Sequence, residues 1–185
     1  MRYMQTGGFQ NNPVMRLTLG LTLALLVAFT ATNFMLYFAK MDLTPSSVVS
    51  YYNGNEEEFR HARTYQSMLE VTHSHLAMMA LVMLLLTHLI VFAPLRRSGK
   101  ITLIVAAFGS ALMSEGAGWL VRFVDPAFAL LKVLSFVTLQ GSLLFLLVSL
   151  AMFLWTARQR QREVEQVFLA AETEEELAEE EAQLP

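Results

Sequence analysis

Three histidines and one carboxylate stand inside apolar stretches, where such groups are costly and therefore mark function first. His73, His75 and His88 share the run Glu70 to Phe92, EVTHSHLAMMALVMLLLTHLIVF, and Glu115 sits within Met113-Ser114-Glu115-Gly116-Ala117-Gly118-Trp119. An imidazole can ligate haem iron or another metal, or relay a proton near neutral pH. A buried carboxylate must be paired, protonated or used. Glu115 is accordingly the candidate catalytic residue, handling protons or a quinone, and His73 and His88 are the candidate metal ligands, with His75 in reserve.

The spacing adds geometry. At 100° per residue, His73 and His88 lie 15 positions and about 60° apart on a helix, separated by about 20 Å along its axis. His75 lies about 200° from His73 and points elsewhere. One helix carrying two histidines at this interval resembles the b-type cytochromes of quinone-oxidising complexes, in which such a pair ligates two stacked haems. The resemblance implies non-covalent haem b, with Arg122 and Lys132 as propionate partners and a quinone as the exchanging substrate. This chain departs from that pattern in having no histidine in its other apolar segments, since the fourth, His61, lies in a polar loop. Iron would need His–Met ligation through Met35, Met113 or Met152, a five-coordinate state, or a second copy of the same helix across a homodimer. Ser110, Ser114 and Gly118, spaced by four, form a small-residue face that admits a macrocycle or a neighbouring helix.

Other chemistries fit less well. Glu58-Phe59-Arg60-His61 and Glu70-Val71-Thr72-His73 repeat the Glu-x-x-His spacing of di-iron bundles, but on one helix they stand about 18 Å apart. His73-Ser74-His75 beside Met68, Met78 and Met79 suggests soft-metal handling, yet i and i+2 diverge on a helix. There is no Gly-rich phosphate loop and no nucleophile elbow. With no cysteine, thiolate sites and covalent haem attachment are excluded.

Four apolar segments must position these groups: about 17–38, 71–92, 101–121 and 128–155, each close to the ~20 residues that cross a bilayer. Their number and a 55% hydrophobic composition, with mean hydropathy +0.45, predict one all-α, four-helix transmembrane bundle with up-down topology. The first segment is too long for a secretory h-region and reads as a retained helix. Residues 1–16 form an N-terminal segment, 17–157 the membrane domain, and 158–185 a basic-then-acidic tail. That tail ends in seven glutamates within its last 14 residues, and both a helical and a disordered form fit it. Arg2, Arg16, Arg96, Arg97, Lys100, Arg158, Arg160 and Arg162 cluster on one side, so the positive-inside rule puts both termini in the cytoplasm of a bacterial plasma membrane. The 41–69 loop then faces outward. Thr44-Pro45 predicts a short interfacial helix over 46–52, and Asn55 followed by Glu56 to Glu58 predicts the start of a helix running unbroken for about 40 residues to Pro94.

Two functions follow. One is a small redox subunit binding haem b and passing electrons to or from quinone or an outer-face partner. The other is a non-catalytic structural or assembly subunit whose polar residues only knit the bundle. Both imply lipid and membrane-protein partners or a homodimer, and no nucleic acid.

Overall fold

The computed structural model describes residues 12–57, 59–93 and 95–182. It is helical in the way the apolar segments require. The elements in order are α1 (Pro13–Phe38), α2 (Pro45–Asn53), α3 (Tyr65–Ile90), α4 (Arg97–Phe123), a 3-10 turn (Pro126–Phe128) and α5 (Ala129–Ala182). Four stretches are long and apolar enough to cross a membrane: Pro13–Phe38, Tyr65–Ile90, Arg97–Phe123 and Pro126–Thr156. The expected all-α, four-helix transmembrane architecture is the one observed.

Local signals set the helix starts. Asn12 Oδ1 accepts from the N–H groups of Val14 and Met15, with Pro13 at the first helical position of α1. Thr44 caps α2 through Ser47 N–H, again followed by proline, and Thr64 caps α3 through Ser67 N–H. At the far end of α3, the Lys100 ammonium donates to the Val91 carbonyl at 2.6 Å, placing a cation where the helix dipole is negative.

The expected 40-residue helix from Asn55 does not form. Asn55 Oδ1 accepts from Glu57 N–H, closing a turn rather than starting a helix, and Asn55 and Arg60 exchange two backbone hydrogen bonds of 2.9 Å each. Phe59 takes a left-handed φ of 51° inside that turn. The Arg63 backbone is then held from both sides: its N–H donates to the Tyr52 carbonyl, and its carbonyl accepts from Arg122 Nε. Extended backbone there delays α3 until Thr64 can cap it.

By contact the chain divides into two compact units. The larger, Thr22–Leu150, holds most of α1, all of α2 to α4 and the first part of α5. Its core near α2 gathers Tyr37, Met41, Val48, Val121, Ala129, Val133 and Phe136, with Tyr37 stacked on Phe136 at 3.6 Å between ring centres. Along α5, Phe136, Leu139, Leu143, Leu146 and Leu150 are buried at three- and four-residue intervals, the spacing of an inward-facing stripe. The buried residues of α4 are also small, Ala107, Ser110, Ala111, Ser114, Ala117 and Gly118, as close helix packing in a membrane requires, and α4 packs on α3 and α2. In the smaller unit, α5 continues unbroken through the basic and acidic run to Ala182.

Candidate functional site

Helical geometry sorts the three histidines. The buried residues of α3, such as Met68, Val82, Leu86 and Ile90, define one face, and His75 shares it. His75 Nδ1 lies 2.9 Å from Glu115 Oε1 on α4. His73 and His88 are both exposed on the opposite side of α3, in a stripe with Ala77, Ala80 and Leu84. Neither makes a hydrogen bond among the described residues; His88 meets only the edge of the Phe92 ring, at 5.6 Å. The pair thus shares a face, and His75 occupies another.

Glu115 is the centre of a chain of hydrogen bonds. Trp119 Nε1 donates to Thr72 Oγ1 at 2.9 Å, and Thr72 Oγ1 donates to Glu115 Oε2 at 3.4 Å. The indole is held in turn by the Tyr65 ring, edge-on at 5.3 Å. The Glu115 side chain is only 12% exposed, whereas that of His75 is 43% exposed. With the carboxylate ionised, His75 Nδ1 carries the proton and donates to it, which leaves Nε2 as the free acceptor.

Two further groups close the site. Lys132, buried on α5, donates from Nζ to the Ser114 carbonyl at 2.6 Å and to Ser114 Oγ at 3.2 Å, within electrostatic range of Glu115. From α2, Tyr52 presses its hydroxyl against Gly118, where a Cβ would stand 2.7 Å from the phenol oxygen. Loss of solvent around that phenol, with Tyr51 and Glu115 nearby, holds its pKa well above the usual phenol value. Asn53 Nδ2 pins the same helix to the Val121 carbonyl at 3.3 Å. The small-residue face of α4 is therefore filled by α2 at Gly118.

His75 also lines a groove of about 540 Å³ between α1 and α3. Its wall is apolar apart from His75, Thr32 and Asn33, with Phe29, Met35 and Met79 among the lining residues. Thr32 Oγ1 is satisfied by the Phe29 carbonyl at 2.8 Å. The Asn33 amide makes no hydrogen bond among the described residues.

Of the sequence candidates, the structure unites Glu115, His75 and Lys132 and leaves His73 and His88 apart on the lipid-facing stripe. Arg122 gives its Nε to the Arg63 carbonyl at 2.8 Å and lies over the Phe123 ring, so both cations expected at propionates hold protein partners. Met35, Met113 and Met152, the possible sulfur ligands, are all exposed. Among the described residues no group of three or more His, Asp or Glu side chains is assembled for a metal ion; Glu58, part of one di-iron pattern, lies outside them. Sequence reasoning missed Thr72, Trp119, Asn33 and the role of Tyr52. Trp119, four residues after Glu115 and hence on its face, and Asn33, an amide inside an apolar segment, were the available signals.

Among known proteins, a family model described as a transmembrane helical domain, Aq_1264_TM, matches residues 42–161, and the chain belongs to that family. Neither a curated protein nor a solved structure matches it. The matched stretch contains α2, α3, α4 and the spanning part of α5, and with them His75, Glu115 and Lys132.

Proposed function

For this integral membrane member of the Aq_1264_TM family, we propose the role of a small subunit of an electron-transferring membrane, whose own chemistry is proton exchange at the His75–Glu115 pair. The observation that carries the reading is the 2.9 Å contact between His75 Nδ1 and Glu115 Oε1, made between two spanning helices. A carboxylate in that position fixes the tautomer of the imidazole and stabilises its cation, so His75 can take a proton at Nε2 and hold it. Thr72 orients the carboxylate by a hydrogen bond, and Trp119 in turn fixes the Thr72 hydroxyl.

The redox group of this proposal is non-covalent haem b at His73 and His88. Both imidazoles lie on one exposed stripe, where they would hold the group, and a further ligand would have to come from a partner helix. Two exposed imidazoles on an apolar helix, with no hydrogen bond among the described residues, support a partner on that stripe. The distribution of Arg16, Arg96, Arg97, Lys100 and Arg158 supports cytoplasmic termini in a bacterial plasma membrane, with α2 on the outer side.

A structural or assembly role is the second reading, and one observation favours it: Lys132 and Arg122 both spend donors on backbone carbonyls. A reduced-minus-oxidised absorption spectrum of protein purified after expression with ample haem separates the two. A sharp b-type α band, lost in His73→Ala or His88→Ala, supports the redox subunit. A featureless spectrum rejects the haem and leaves the structural role.

A further inference from the structure

We infer that the polar cavity where α1 ends binds a phosphate group, that of a membrane phospholipid, with Lys40 and Arg60 as the cations that hold it. The cavity, of about 450 Å³, is walled by the end of α1, the start of α2 and the 55–60 turn. It shares only Ala39 with the groove beside His75, and it stands whether or not the His75–Glu115 pair exchanges protons. Three features of the cavity select a phosphate carried by a lipid.

The first is an excess of donors. Thr44 Oγ1 accepts from Ser47 N–H and from the Ser46 hydroxyl, both at 3.3 Å, and Ser47 Oγ accepts from Asp42 N–H at 2.8 Å. Thr44 and Ser47 therefore each keep a hydroxyl proton to give. Ser50, one turn further along α2, lines the same cavity, and its Oγ is buried without a partner among the described residues. The Lys40 ammonium, also on the wall, makes no hydrogen bond among the described residues. A buried hydroxyl left unbonded is costly, and a group made of acceptor oxygens satisfies it together with its neighbours. These donors come from separate segments, which suits tetrahedral oxygens better than a planar carboxylate.

The second feature is charge. Lys40 and Arg60 against Asp42 leave the cavity one net positive charge, which a phosphodiester matches. Burial and the neighbouring Arg63 guanidinium lower the Lys40 pKa below the ordinary lysine value, and an anion beside the ammonium offsets both effects. Arg60 is delivered by the turn itself, through its two backbone hydrogen bonds with Asn55 and the left-handed Phe59 between them. Left-handed backbone at a non-glycine residue is retained where it positions a functional group. The third feature is position. Phe38, the last residue of the first span, lines the cavity and is half-exposed. At Ala39 the cavity adjoins the apolar groove, where Met35 and Leu36 offer an acyl chain a surface to follow. A polar chamber next to an apolar channel, at the end of a span, fits an amphiphile rather than a soluble ion.

The test uses the full chain, delipidated in dodecyl maltoside, and counts bound dioleoyl-phosphatidylglycerol by native mass spectrometry through a titration. One lipid per chain should bind saturably ahead of weaker adducts. Lys40→Gln and Arg60→Gln should each weaken it about tenfold or more, the scale of one charge-assisted hydrogen bond, whereas Lys40→Arg should keep most of the affinity. Asp42 is tied in through its backbone, so Asp42→Asn removes only the cavity's anion and should tighten binding a few-fold. A merely structural role for these residues would not move affinity in opposite directions. Arg97→Gln, an exposed cation at the start of α4, controls for general attraction and should leave binding unchanged. Inorganic phosphate separates the two sources of the group. If it displaces the lipid only at far higher concentration, the lipid assignment holds; displacement at equal concentration keeps the phosphate site and gives it to the soluble ion. No saturable first lipid, parent-like binding in both Lys40→Gln and Arg60→Gln, or an equal loss in Arg97→Gln overturns the inference.

Discussion

Adding one methyl group at Gly118 tests whether α2 is part of the membrane domain or merely a loop beside it. A Cβ built there would lie 2.7 Å from the Tyr52 hydroxyl oxygen, 2.9 Å from Cζ and 3.0 Å from Cε1. Tyr52 has little room to retreat. Its ring is edge-on to Tyr51 at 5.0 Å, its carbonyl is held by Arg63 N–H, and the next residue is pinned to Val121. Overpacking of this kind costs about 1–3 kcal/mol. Against it stands the helix-propensity gain of alanine over glycine, about 0.8–1 kcal/mol. Gly118→Ala should therefore be destabilised by up to roughly 2 kcal/mol net. Gly109 and Gly116, on the same helix with nothing within 4 Å of the place a methyl carbon would take, provide controls that should be neutral or slightly stabilised. The assay is reversible unfolding of the detergent-solubilised protein, with Tyr52→Ala added to close a double-mutant cycle. The clash predicts a coupling of about 1 kcal/mol or more between positions 118 and 52. Equal stability of Gly118→Ala and Gly116→Ala, with no coupling to Tyr52, would refute the docking of α2 on α4.

The 54–60 turn predicts opposite effects at two positions. Gly54 has φ 88° and a Cβ there would meet the Arg60 carbonyl at 2.7 Å and Ala62 N at 2.8 Å, so Gly54→Ala should cost about 2 kcal/mol or more by thermal unfolding. Phe59, 92% exposed with φ 51°, gains nothing from its side chain, and Phe59→Gly should stabilise by about 0.5–1 kcal/mol in the same assay. The raised Tyr52 pKa means that the native state keeps a phenolic proton that the unfolded chain releases near pH 10. Its stabilisation is complete below that pH and is lost as pH rises toward the native value, so unfolding scans above pH 10 should show a steeper loss in the parent than in Tyr52→Phe. Lys132→Met should destabilise by about 1–3 kcal/mol by thermal unfolding, because it removes the ammonium that bonds the buried Ser114 carbonyl and hydroxyl.

The spans were legible because burial in a bilayer demands one simple property, a run of about 20 apolar residues, and Leu17 to Phe38 or Phe128 to Trp155 display it without help from neighbours. The same holds for α2, whose Thr44-Pro45 start and Gly54 stop are local signals. The 55–64 stretch misleads because its conformation is not decided locally. Glu56 to Glu58 after Asn55 looks like a first helical turn, but Arg63 is held by Tyr52 and by Arg122, the latter 59 residues away. The divergence of His75 from His73 and His88 followed from 100° per residue alone. That His75 would meet Glu115 did not, since the meeting depends on the rotation of α4 about its axis, which its small inward face and Tyr52 determine together. Lys132 was visible as a basic residue near a helix end, where snorkelling is the ordinary outcome. Instead it turns inward, because the small side chain of Ser114 exposes a carbonyl within its reach.

The unequal exposure of the pair sets the direction in which it can work. Glu115, at 12%, is held by Thr72 and by the imidazole, and of the two partners in the pair only His75 lines the groove. His75, at 43%, has one nitrogen on the carboxylate and its other edge on the groove. Under the proton-exchange reading, a proton entering at Nε2 creates an imidazolium stabilised by Glu115 at contact distance, without transfer to the carboxylate being required. The histidine, glutamate and lysine come from three different helices, α3, α4 and α5, and all three lie within the stretch that defines the family. The groove's second wall, α1, lies outside it.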